Sequence, residues 1–175
     1  MAYDNEKVGK AILAHLKSDL ATRLVTVAAY WTAQSDPVTL PAVVTWFEGY
    51  KPTLLEQAVT AFPFVGVLVP VREPGEDRST WKYQSQTVHA FVDLAVSAAD
   101  ELTVNKIAHR YAEALCLSLQ QAATFTGYTQ VNYEPPVNLV SFTRHLKSQD
   151  NADAFNADDV YYLVVKSIAV DLQGG

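Results

Sequence analysis

The stretch from Gln86 to Leu119 changes its repeat once, and that change constrains what the rest of the chain can become. Val88, Ala90, Val92, Leu94 and Val96 recur at every second residue, the mark of a strand with one buried face. His89, Phe91, Asp93 and Ala95 fall on the opposite face, which is mixed and expected to be only partly buried. Further on the step lengthens. Val104, Ile107, Ala108, Tyr111, Leu115 and Ser118 follow at threes and fours, a helical stripe. Between the two, Ser97 with Asp100 three residues on reads as a capping box in which Asp replaces the usual Glu. Asp100 and Glu101 also place negative charge where the helix dipole favours it. The spacing predicts a strand over 86–97 feeding a helix that packs back on the sheet, with Ile107, Tyr111 and Leu115 against the Val88, Val92 and Val96 face.

The other elements arrange themselves around this unit. Val8, Ile12, Leu16, Leu20, Leu24, Val27 and Trp31 form one apolar stripe, so a long amphipathic helix is expected over 4–35. Asp4 is its N-cap, and Pro37 disfavours helical geometry at Asp36 and so stops it by about Ser35. Asp36–Pro52 admits two readings, a short helix from Pro41 to Gly49 or a strand through Val43, Val44, Trp46 and Phe47. Thr53 and Glu56 make a capping box for a short helix that ends before Pro63. Phe64–Val71 is a buried strand, and the charged, turn-rich loop Glu73–Lys82 joins it to the central one. Gly127 ends the second helix. Tyr128–Glu134 reads as an edge strand broken by Pro135-Pro136, and Val137–Leu146 as a second strand. After the polar loop Ser148–Asp159 comes a long final strand, Val160–Leu172, with Lys166 interrupting its apolar face. The expected fold is α+β. A mixed or antiparallel sheet of about five strands packs against two long helices, in one domain over 1–175 whose core spans 63–172.

Composition narrows the function classes. The chain has 175 residues, net charge −6, 49% hydrophobic and 18% charged residues, which fits a globular protein and argues against disorder. An acidic chain is a poor duplex-DNA binder, because phosphate neutralisation needs clustered Lys and Arg. The lone Cys116 forms no intrachain disulfide and reads as a small buried residue. No signal peptide is visible at the N-terminus, and the most apolar run, Ala61–Val71, is too short to span a bilayer. A cytosolic product is expected. There is no glycine-rich phosphate loop, no HExxH and no CxxC. His15, His89, His109 and His145 are far apart in sequence and read as structural or surface residues. Asp150, Asp153, Asp158 and Asp159 supply hard oxygen ligands, but Ala152 and Ala154 sit where a calcium loop needs ligands. Nothing in the sequence places Asp93 beside Asp171 as an acid–base pair. The expectation is a chain that is not an enzyme.

The order of elements, with FPFVGVLVP at Phe62–Pro70, VHAFVDLAV at Val88–Val96, IAHRYAEAL at Ile107–Leu115 and VYYLVVKSIAV at Val160–Val170, resembles the tail-terminator family of long-tailed (siphovirus-type) bacteriophages and their relatives at the head–tail junction. The resemblance is architectural and leaves Asp36–Pro52 without a counterpart. It implies a virion protein that assembles in the host cytoplasm. A homohexameric ring would cap the tail tube and meet the head-completion proteins, with DNA passing through its lumen without specific binding. The resemblance implies no cofactor, and the sequence suggests no metal. The alternatives are another neck protein, such as an adaptor or stopper, or a small-molecule-binding or enzymatic domain. Arg78 and Trp81, with Arg72 and Lys82, are the candidate partner-binding residues, since Arg and Trp concentrate binding energy at interfaces.

Overall fold

The computed structural model describes residues 5–49, 61–69, 87–121, 128–146 and 160–174. Their elements run α1 (Asn5–Ala33), β1 (Thr45–Gly49), β2 (Phe64–Leu68), β3 (Thr87–Ala98), α2 (Glu101–Gln121), β4 (Tyr128–Tyr133), β5 (Val137–Leu146) and β6 (Val160–Gly174). The fold is α+β, and the described residues form two helices and a mixed six-stranded sheet. The extra strand is β1, so the Asp36–Pro52 ambiguity resolves to a strand that pairs parallel to β2.

The sheet order is β1-β2-β3-β6-β4, with β5 also on β6, and every pairing except β1–β2 is antiparallel. β3 and β6 form its spine, in register from Thr87↔Gln173 to Ala98↔Tyr162. β4 lies along 170–174 of β6 and β5 along 160–167, both antiparallel to it. They are therefore two halves of one broken strand on the same edge. Pro135 and Pro136 lack backbone N–H groups and interrupt the ladder without redirecting the chain. The Glu134 N–H still reaches the Ala169 carbonyl at 2.9 Å across the gap.

Both helices pack on one face of this sheet. Val8, Ile12, Leu16, Leu20, Leu24 and Val27 of α1 are buried, as are Val104, Ile107, Ala108, Tyr111, Leu115 and Leu119 of α2. They share one core with Val65 and Val67, with Ala90, Val92, Leu94 and Val96, and with Val164, Ile168, Val170 and Leu172. The alternation read from the sequence is thus the alternation that packs.

Two helix ends explain where the elements stop. α1 closes with the Ser35 N–H on the Thr32 carbonyl (3.0 Å) and the Asp36 N–H on the Trp31 carbonyl (3.0 Å), with Ser35 at φ 60°. This is a Schellman ending in which serine holds the left-handed position usually given to glycine. At α2 the cap differs from the expected box. The Thr103 N–H donates to Asp100 Oδ1 at 2.8 Å and the helix begins at Glu101, so Asp100 is itself the N-cap and Ser97 belongs to β3. A carboxylate reaches the free N–H groups of the first turn and meets the helix dipole, which makes Asp100 the better cap. Its carboxyl is held below the usual range by that backbone hydrogen bond.

Candidate functional site

On the sheet face away from the helices, polar and apolar pairs alternate across β3 and β6. His89 faces Asp171, Phe91 faces Ala169, Asp93 faces Ser167 and Ala95 faces Val165. His89 Nδ1 and Asp171 Oδ1 lie 2.6 Å apart in an exposed pair. Asp93 is only 1% exposed, although this face was expected to be partly buried, and among the described residues neither carboxylate oxygen has a partner within hydrogen-bond geometry, the hydroxyl of Ser167 across the ladder being the polar group nearest to serving as one. Burial pushes its pKa up to about 6, and Ser167 opposes that shift in part. A second apolar cluster adjoins it: Phe64, Ala95 and Val165, with Phe47, Phe62 and Leu163 packed against them. Asp93 and Asp171 share the face but sit four residues apart in register, about 13 Å along the strands. They are too far apart to work as an acid–base dyad.

On the helix face, polar side chains tie the two helices together. Asp36 follows the C-terminus of α1, where the dipole disfavours a carboxylate. Lys106 Nζ (2.6 Å) and Arg110 Nη2 (2.8 Å) both donate to it, and Lys106 above all holds its carboxyl below the usual range. Arg110 is buried and stacks 4.8 Å from the Trp31 ring centroid, while Trp31 Nε1 donates to Glu113 Oε2 at 3.1 Å. Together these contacts fasten the end of α1 to α2. Farther along, His15 Nε2 lies 2.9 Å from the Ser118 carbonyl and 3.3 Å from Ser118 Oγ. A carbonyl oxygen only accepts, so Nε2 carries a proton and is no base for the hydroxyl. Asp19 completes the Ser, His and Asp set, but it is engaged by Arg23 Nε at 2.8 Å. The three bind α1 to α2 and form no catalytic triad.

Lys166, which interrupts the apolar face of β6, is buried on the helix side and donates to Asn138 Oδ1 at 2.6 Å. Burial lowers its pKa. Cys116 is a free, half-buried thiol whose pKa is raised by burial and by Glu113, so it is a poor nucleophile.

The least protein-like surface is on α1. Ser18, Ala21, Thr22, Val25, Thr26, Ala29, Tyr30, Thr32 and Ala33 are exposed, and none is charged. Asp19 and Arg23 lie half-buried beside them and neutralise each other. A groove of about 450 Å³ runs alongside, between α1 and the segment entering β1. Its walls are Leu20, Leu24, Val25, Leu40, Val43 and Trp46, with several alanines, and Lys17 is the one charged residue among the described residues that line it. The Lys17 ammonium sits 6.0 Å from the Trp46 ring centroid.

The partner-binding residues expected from the sequence, Arg72, Arg78, Trp81 and Lys82, lie outside the described residues, as do Asp4, the Thr53–Glu56 box, Gly127 and the acidic loop 148–159. Among the described residues no group of His, Cys, Asp and Glu is placed to hold a metal ion. Nor, among them, is any helix long and apolar enough to cross a membrane. The groove is not legible in the sequence because its second wall comes from the segment 40–46, whose element the sequence leaves open. A signal is present in α1, whose exposed positions carry Glu6, Lys7, Lys10 and Lys17 in the first half but no charge from Ser18 to Ala33. Compared with protein-family models and with curated proteins, the chain matches none.

Proposed function

We propose that this chain is a structural virion protein of the tail-terminator type, a self-associating protomer whose ring caps the tail tube and meets the head-completion proteins. The observation that carries the reading is the C-terminal half of α1, Ser18 to Ala33, whose exposed residues are all uncharged, with the apolar groove beside it. Interface cores are depleted of charge, whereas a solvated helix face on an acidic chain is expected to carry it. The resemblance in element order supplies the particular class. An acidic lumen is consistent with the role, since negative charge repels DNA phosphates and eases passage. Arg72, Arg78, Trp81 and Lys82 are proposed to contact the tube or a neck protein.

The test is light scattering of the purified chain, alone and with tail tubes, combined with a tube-polymerisation assay. The proposal expects an oligomer in at least one condition and tubes of limited length. A chain that stays monomeric in both, while tubes grow unchecked, contradicts it.

A further inference from the structure

We propose that the α1 groove receives the N-terminus of α2 from a second copy of this chain, with Leu102 as the inserted residue. This rests on the self-association reading and names the surfaces that would serve it. Five large apolar residues stand exposed among the described residues: Val25, Tyr30, Val44, Leu102 and Val137. Val25 lines the groove, Val44 is next to its wall residue Val43, and Tyr30 lies on the same outer face of α1. Leu102 does not belong to that patch. It is 66% exposed in the first turn of α2, beside the exposed carboxylates Asp100 and Glu101. Val137 stands between Pro136 and Asn138 and has no charge beside it.

The two surfaces complement each other. One is an apolar hollow with a single ammonium, Lys17, at its wall. The other is an apolar knob flanked by two carboxylates. A copy does not fill its own groove in this way. Lys106, one turn beyond Leu102, is tied to Asp36 past the end of α1, and Ala33 is about 14 Å along the helix axis from Leu24. Knob and hollow are different patches, so the contact is heterologous. Each copy offers a knob to one neighbour and a hollow to the other, which closes a ring where the rotation allows. The lone ammonium between carboxylates sets the register, while the buried leucine supplies most of the contact.

The experiment measures association by light scattering in the full chain, alone and with tail tubes. Leu102→Asp, Ala21→Trp (which fills the groove) and Lys17→Glu are each made, and folding is checked by circular dichroism and melting temperature. All three positions are exposed, so the fold is expected to hold. The proposal expects association to weaken about 10- to 100-fold in the first two variants. It also expects Glu101→Lys to restore, at least in part, what Lys17→Glu loses. Assembly unchanged in both Leu102→Asp and Ala21→Trp overturns the surface assignment and leaves the ring reading standing. Loss in Ala21→Trp alone keeps the groove as an interface but overturns Leu102 as its occupant. A wild-type chain that never associates overturns both readings.

Discussion

Asp93 is the residue whose environment is least favourable to it. Its carboxylate is 1% exposed, has no hydrogen-bond partner within geometry among the described residues, and is pushed by burial up to about 6. A carboxyl whose pKa is raised by folding penalises the native state when ionised. Stability therefore falls as pH rises from about 4 to about 6 and stays lower above that. Asp93→Asn is expected to raise stability by about 1–3 kcal/mol at about pH 8 and to change little at about pH 4. Chemical denaturation at the two pH values checks this; an equal effect at both would show that Asp93 is not penalised by charge. Asp36 is the opposite case, a carboxylate held ionised by Lys106 and Arg110. Its contribution is present above the unfolded pKa and is lost as pH falls through the lowered folded value. The two residues thus pull the acid limb of the stability profile in opposite directions.

At the scale of elements, the long stripes predict their own packing. Leu115 is fully buried in the core that includes Val92 and Val96, so Leu115→Ala is expected to cost about 2–5 kcal/mol. An unchanged melting temperature would contradict that placement. Ser35 holds a left-handed conformation that costs an L-residue about 1–2 kcal/mol. Ser35→Gly is expected to raise stability by about 1 kcal/mol, read from the denaturation midpoint. Both helices and β3 and β6 were legible because an apolar face writes its period into the residues, and β2 because it is a short continuous apolar run, buried on both faces. β1 was not, since Thr45–Gly49 is too short for its alternation to outweigh a helical reading, and its parallel partner β2 is distant in sequence. The N-cap of α2 was misplaced for a local reason: Ser97 and Asp100 are both capping residues at plausible spacing, and only the hydrogen bond to Thr103 separates them. The candidate surfaces were less legible still. Ser118 with His15, Trp31 with Arg110, and Lys17 with Trp46 all meet across segments far apart in the chain.

For the whole molecule, two helices on one sheet face leave the outer side of α1 with its hollow, the polar stripe of β3 and β6, and the α2 N-terminus as separate surfaces. Among the described residues, His15 with Ser118 and Arg110 with Asp36 tie the helices together, and Asp19 is engaged by Arg23 within α1. On the proposed assembly reading, the uncharged stretch of α1 from Ser18 to Ala33 supplies a surface. If the Arg72–Lys82 segment meets the tube, Arg78→Ala combined with Trp81→Ala abolishes tube capping while circular dichroism stays unchanged; wild-type capping would sink that role. The central claim is that many copies act together at one place. Cryo-microscopy of intact particles, counting copies of this chain at the head-proximal end of the tail tube, tests it most directly. A closed ring of copies, six by the family likeness, is the predicted result; a single copy at that site, or none, would contradict the account.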